Sequence, residues 1–284
     1  MRLCDIHIRD PFILPDGGVY YLYGSRGQES WGNCTGLDVY VSTDLETWSD
    51  PTEVFTPPVG FWSDRNFWAP EVHIYKEKYY MFASFISDTR QRGTQILVAD
   101  SPMGPFVPHS DGPVTPKDWR CLDGTLYCSE DGTPYMVFCH EWTQIKDGTM
   151  CAVELAADLK TAVGDPFVLF HASEPSWALK DKTDFVTDGP FLYRMQSGRL
   201  MMIWSSFGKE GYLEAMAYSD DNQITGTWHH SDALLFSADG GHGMIFRTYD
   251  GRLMFVCHMP NSSPNERPHL TEIYEDGNLL KRKI

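Results

Sequence analysis

The segment Asp10-Pro11-Phe12-Ile13, followed after a tight turn by VYYLYGS at 19–25, recurs in altered form four more times along the chain. Ala69-Pro70-Glu71-Val72 leads to KYYMFAS, Asp123-Gly124-Thr125-Leu126 to PYMVFCH, Asp188-Gly189-Pro190-Phe191 to LMMIWSS, and His242-Gly243-Met244-Ile245 to LMFVCHM. The copies start 59, 54, 65 and 54 residues apart, and self-similarity at such a period marks a repeat architecture. Further strands follow from Asp38, Gln95, Cys151 and Leu213, each alternating apolar and polar residues as half-buried strands do. Pro15-Asp16-Gly17-Gly18, Ser129-Glu130-Asp131-Gly132 and Tyr249-Asp250-Gly251 supply hairpin turns, and no stretch keeps a helical period. An antiparallel sandwich would use the same turns but does not require five ordered copies of one unit. The predicted fold is all-β, a five-bladed β-propeller, with residues 1–284 forming one domain.

In a radial array, equivalent positions lie on one circle around the axis. Asp10, Asp123, Asp188 and His242 open four of the five units, so three carboxyls and an imidazole are expected to converge on one funnel. Hydrolysis of a glycosidic bond needs such a set, with one carboxylic acid to protonate the leaving oxygen and one carboxylate to activate water. A neighbouring negative charge raises the pKa of the acid and keeps it protonated. Asp before Pro or Gly is also an ordinary turn residue, a reading that weakens when three stand in register. Divalent-metal binding is the rival chemistry for the same set.

The composition fits a neutral substrate. Net charge is −16, and the one basic run is Lys281-Arg282-Lys283, which argues against nucleic acid and anionic membranes as partners. No apolar span is long enough to cross a bilayer, and the first repeat starts by Asp10, leaving no room for a secretory signal. Seven cysteines without CxxC spacing, such as Cys128, Cys139 and Cys257, sit in apolar runs and read as buried free thiols. A cytoplasmic location is the expectation, unless the chain has been trimmed of a signal.

The strings IRDPFIL, WAPEVH with KYYMFAS, LDGTLYCSEDGTPYMVF, TDGPFLYR and GGHGMIF resemble, in order and spacing, the blade-opening motifs of glycoside hydrolase family 43. The resemblance covers nearly the whole chain. It implies a five-bladed propeller and an inverting enzyme, most members being α-L-arabinofuranosidases, β-xylosidases or arabinanases. It implies Asp10 as general base and Asp123 as the residue that orients the acid and tunes its pKa. Asp188 falls where the family usually has Glu as general acid, one methylene longer, and Glu71 or Glu141 are the alternative acids and otherwise substrate contacts. The resemblance also implies Arg267, in Glu266-Arg267-Pro268, as a sugar contact. His242 matches a family His near the channel axis, where calcium or an axial water binds; no cofactor is otherwise required.

Among the aromatics of the expected rim, Trp31, Trp62, Phe67, Trp68, Trp142 and Trp204, the pair Phe67 and Trp68 is the best placed to stack on a sugar. Trp48 and Trp228 end outer strands and read as core. The leading functional expectation is exo-acting release of a terminal pentose, arabinofuranose or xylose, from short oligosaccharides or plant-wall side chains. A silent carbohydrate-binding propeller is the alternative, motivated by Asp188, and a protein-interaction propeller ranks behind both.

Overall fold

A computed structural model of the protein describes residues 1–27, 31–32 and 35–283, and among them twenty strands form five antiparallel four-stranded sheets. Blade one holds β1 (Ile8–Asp16), β2 (Val19–Arg26), β3 (Leu37–Ser42) and β4 (Thr52–Phe55). Blade two holds β5 (Arg65–Tyr75), β6 (Lys78–Ser87), β7 (Arg90–Ala99) and β8 (Val107–Pro113). Blade three holds β9 (Cys121–Cys128), β10 (Pro134–His140), β11 (Thr149–Leu155) and β12 (Ala162–His171). Blade four holds β13 (Asp188–Arg194), β14 (Leu200–Gly208), β15 (Gly211–Ser219) and β16 (Trp228–His230). Blade five holds β17 (Gly241–Arg247), β18 (Leu253–Met259), β19 (Arg267–Asp276) and β20 (Leu279–Arg282). Each sheet is a meander in chain order, as the repeats predict. Among the described residues no helix is long and apolar enough to cross a membrane.

The second strand of each blade is covered on both faces by neighbouring blades, which is why it reads as a continuous apolar run rather than an alternating one. Met201, Met202, Ile203 and Trp204 of β14 are all fully buried, as are Phe255, Val256 and Cys257 of β18. The core therefore lies between blades; one cluster joins Val39, Phe85 and Val256 of blades one, two and five, another Val137 and Trp204 of blades three and four. Trp48 and Trp228 are buried as expected, and Trp204 belongs with them rather than on a rim. Cys121, Cys139, Cys151 and Cys257 are buried thiols; Cys128 and Cys4 are exposed, Cys128 because it ends β9, and Cys34 lies outside the described residues.

The first strand of every blade is interrupted at the same place. Two of its residues oppose one on the second strand, between Arg9 and Phe12, Trp68 and Glu71, Leu122 and Thr125, Asp188 and Phe191, and Gly241 and Met244. The first residue of each bulge is left-handed: Asp10 at φ 52°, Ala69 at 46°, Asp123 at 57°, Gly189 at 50° and His242 at 51°. Bulges of this kind aim side chains out of the ladder. A left-handed non-glycine residue costs about 1–3 kcal/mol, so the surrounding structure must hold it.

That hold comes from the blade before. Ser84 Oγ of β6 accepts the Asp123 N–H at 2.9 Å, Ser205 Oγ of β14 accepts that of His242 at 2.6 Å, and Ser25 Oγ of β2 accepts that of Ala69 at 2.8 Å. His258 Nδ1 of β18 accepts the Asp10 N–H at 3.2 Å and so closes the ring from blade five to blade one. Blade three offers Cys139 at the equivalent place, and Asp123 Oδ2 accepts the Gly189 N–H at 3.0 Å instead.

Ser84 is fully buried, so Ser84→Ala leaves a buried donor unpaired. Urea unfolding is expected to show a loss of about 1–3 kcal/mol, and a loss under about 0.5 kcal/mol would mean that the amide finds another acceptor.

Candidate active site

The bulges place Asp10, Asp123 and His242 around one point at the mouth of the propeller, and the residue before the fourth bulge, Asp188, joins them. All four line a cavity of about 460 Å³. Register corrects one expectation here. The position equivalent to Asp10 and Asp123 is Gly189, and Asp188 stands one residue earlier, paired with Ser205 as Arg9 is with Ser25. A Cβ at Gly189 would lie 2.6 Å from His242 Cδ2, so no side chain fits at the bulge itself. The carboxyl of blade four can reach the cleft only from the flanking position.

His242 holds the cluster together. Its Nδ1 lies 3.1 Å from Asp10 Oδ1 and 3.7 Å from Asp123 Oδ2, so one imidazole spans two carboxyls. Ser25 donates to Asp10 Oδ2 at 2.6 Å, and Tyr212 donates its phenol to Asp188 Oδ2 at 3.0 Å. Tyr212 is stacked on His258 with centroids 5.5 Å apart. Because His258 Nδ1 accepts the Asp10 amide it carries no proton there, and its Nε2–H donates to Asn261 Oδ1 at 3.2 Å. The 3.5 Å approach of that Nδ1 to Asp10 Oδ1 is therefore not an ion pair.

Burial and mutual charge set the protonation of the group. Burial disfavours charge on His242, but Asp10, Asp123 and Asp188 outweigh it and push the imidazole up to about 10. Burial likewise raises Asp10, and the His242 charge and hydrogen bond, with Arg9, carry it well below the usual carboxylate range. For Asp123 burial wins over His242, helped by Asp188 and Asp10, and the carboxyl rises to about 8. Asp188 is raised by burial, with His242 and the Tyr212 bond opposing, to about 6. Burial, with Arg9 next, lowers His258 to about 3. At neutral pH the cleft thus combines an ionised Asp10, a cationic His242 and a proton-holding Asp123, and Asp188 takes up its proton as the pH falls through about 6.

A second layer supports this set. Arg9 donates to Glu266, fully buried, at 2.7 Å. Glu214 is fully buried on β15, where its Oε2 accepts Ser205 Oγ–H at 2.8 Å and the Gly243 N–H at 3.1 Å, fixing the bulge that carries His242. Arg92 lies 3.7 Å over the Trp68 ring and 2.9 Å from Glu141 Oε1. None of Arg9, Arg92, Glu214, Tyr212 or His258 carries a mark in the sequence that separates it from ordinary strand residues; only Arg9, next to Asp10, could have been suspected.

The remaining expected contacts divide. Trp68, Glu141, Trp31 and Trp142 line the cleft. Glu141 is engaged at both oxygens, by Arg92 and by Thr143 at 2.6 Å. Glu71 does not line the cleft; it is buried 3.2 Å from His73 Nε2, and Phe12 packs against His73 and Phe191. Phe67 is corrected to core, buried against Phe55 and Phe85, because alternation along β5 turns it away from its neighbour Trp68. Arg267 is corrected to a structural tie, donating to the Cys4, Pro264 and Glu266 carbonyls, which joins the last blade to the N-terminal segment. Trp62 donates to Gln95 and packs on Phe85, away from the cleft.

His242 was expected as a metal ligand near the axis. Among the described residues no group of three His, Cys, Asp or Glu is arranged to hold an ion, and His242 Nδ1 is engaged with carboxylates as a donor. The residues do not fit a protein-coordinated calcium here.

Residues 4–277 match the family described as Glycosyl hydrolases family 43. The chain belongs to that family. Its fold is similar to that of an endo-arabinase from Bacteroides thetaiotaomicron VPI-5482, at 42% identity and TM-score 0.90 over 98% of each chain. A thermostable family-43 glycoside hydrolase aligns at 24% identity and TM-score 0.86, over 98% of this chain and 93% of the other. In sequence the chain is 27% identical over 152 residues to Extracellular endo-alpha-(1->5)-L-arabinanase 1 of Bacillus subtilis (strain 168), a match covering 49% of this chain and 45% of that protein. Xylosidase/arabinosidase 43A of Humicola insolens matches at 25% over 152 residues, covering 49% of this chain and 46% of its own length. The matched stretch thus spans about half of the length of each of these two curated relatives.

Within the family-43 cluster Glu214 offers a test of the electrostatics. Burial is the main cause that raises it, from 4.5 to about 8. A carboxyl raised on folding binds its proton more tightly in the native state, so native stability falls as pH rises through that window. Glu214→Gln keeps an acceptor and removes the titration. Its melting temperature relative to wild type is expected to improve between pH 4.5 and 8. An equal difference at both ends would mean that Glu214 folds as a solvated anion.

Proposed function

We propose that this family-43 glycoside hydrolase cuts arabinan chains internally, with Asp10 as general base, Asp188 as general acid and Asp123 holding the acid in place. The observation that favours an internal cut is the continuation of the cleft. Trp142, Val186 and Phe207 line both the carboxylate cavity and an adjoining one of about 610 Å³ bounded by Leu179, Lys182 and Asp184. Trp31 on one side and Trp142 and Phe207 on the other are 64%, 37% and 45% exposed, offering apolar faces for successive sugar rings. Release of a terminal pentose alone, the expectation from sequence, would call for a pocket closed at one end. The endo-acting names of the Bacteroides and Bacillus relatives support the same choice.

The roles follow from charge. Asp10 is ionised, hydrogen-bonded by Ser25 and faced by cationic His242, which suits a base that takes a proton from water. Asp188, raised by burial to about 6, holds a proton in the range where a leaving alkoxide needs one. The backbone that carries it is fixed, since Asp123 Oδ2 accepts the N–H of the next residue, Gly189, at 3.0 Å. An inverting route places a water between base and sugar.

On linear α-1,5-arabinan, viscosity is expected to drop early while reducing ends are still few, with mixed short oligosaccharides as products. Arabinose as sole first product at undiminished viscosity would restore the exo reading. Asp188→Ala is expected to lose about 10²–10⁴ in kcat on arabinan but little on an aryl glycoside with a good leaving group. Equal losses on both would remove Asp188 as the acid, and the leaving-group signature in Glu141→Gln would reassign it.

A further inference from the structure

A second cavity, outside the cleft, has the same volume of about 460 Å³ and a different chemistry. It runs along the junction of blades two and three, from the β6–β7 hairpin at Arg90 to the β11–β12 turn at Lys160. Arg90, Lys117 and Lys160 face it, and among the described residues none of the three side chains forms an ion pair; Arg90 rests over the Trp62 ring at 5.6 Å. Asp111 is the one carboxylate on its lining, and its side chain too makes no ion pair among the described residues. In a chain of net charge −16, a cavity with this local excess of cations runs against the average. Thr115 also lines it, and its buried Oγ has no partner among the described residues.

We propose that this groove binds a short saccharide bearing carboxylates, a uronic-acid oligomer, at a site separate from the hydrolytic cleft. The size is that of a ligand site rather than of a single small anion. Its cations come from three different chain segments strung along the groove instead of converging on one point, which suits charges spaced along a chain. Arg90 pairs well with a planar carboxylate, and the lysines supply point charges. Gly112, Pro113 and Pro116 give the walls between them no charge, leaving room for sugar rings. The groove also abuts the cleft. Arg92 lines both cavities, and the short segment from Lys117 to Arg120 runs from one lining to the other. A substrate with a neutral branch in the cleft and an acidic neighbour in the groove would be held at two places.

The test is calorimetric titration of the whole chain with trigalacturonic acid at low salt, beside neutral arabinotriose and inorganic phosphate. Binding of the uronate is expected, weakening as salt screens the charges. Lys117→Glu combined with Lys160→Glu is expected to weaken it by about tenfold or more while leaving hydrolysis of neutral arabino-oligosaccharides unchanged. Uronate binding that survives the double substitution would overturn the site, as would no binding at low salt. Phosphate binding as tightly as the uronate would mean a simple anion site and overturn the saccharide assignment. Because the readout is binding, it is independent of whether the cleft cuts arabinan.

Discussion

One hydrogen bond, repeated around the ring, underlies the rest of the structure. In four of the five blades the left-handed residue of the first strand turns its N–H toward the preceding blade, where a buried side chain takes it: Ser25, Ser84, Ser205 or His258. The strain at Asp10, Ala69, Asp123 and His242 is sustained by those acceptors, and the acceptors are held by the apolar packing of the second strands. The same geometry that locks blade to blade throws the bulge side chains toward the axis. The same bulges serve both the ring and the carboxylate cluster.

The exception in blade three shows how tightly the two are linked. Where the repeat would place a serine, Cys139 stands, and the acceptor for Gly189 becomes the Asp123 carboxylate. A cluster residue thereby does a scaffold residue's work, and it fixes the backbone beside Asp188. Gly189 in turn is glycine because His242 occupies the space a side chain would need. Burying three carboxyls around one imidazolium leaves Asp123 and Asp188 raised and Asp10 lowered. Opposed protonation states in one cleft are what acid–base chemistry requires.

Much of this was legible in the sequence, because the bulge openers sit at a repeating distance and three of the five, Asp10, Asp123 and His242, are Asp or His, residues that tolerate φ above zero. The five blades and the convergence of Asp10, Asp123, Asp188 and His242 followed from that alone. The one-residue offset at Asp188 did not, since Asp-Gly-Pro and Asp-Pro align on their aspartates while the backbone aligns Gly189 with Asp10. Phe67 and Trp68 are neighbours of similar character, and only strand alternation decides which one faces the cleft. Arg92 and Glu214 depend on which strand stands opposite across a blade boundary, and Arg267 on where the N-terminal segment passes. Contacts between different blades leave no periodic trace in a single chain.

The central claim is that one cationic histidine holds Asp10 ionised while Asp188 keeps a proton. Carbon-13 NMR of chain labelled at the aspartate carboxyls, assigned with Asp10→Asn, Asp123→Asn and Asp188→Asn, reads it directly. Asp10 is expected to remain ionised throughout the range where ordinary aspartates protonate, around pH 3.9, while Asp188 titrates near 6. Asp10 protonating at or above the ordinary value, or Asp188 doing so at that value, would contradict the account.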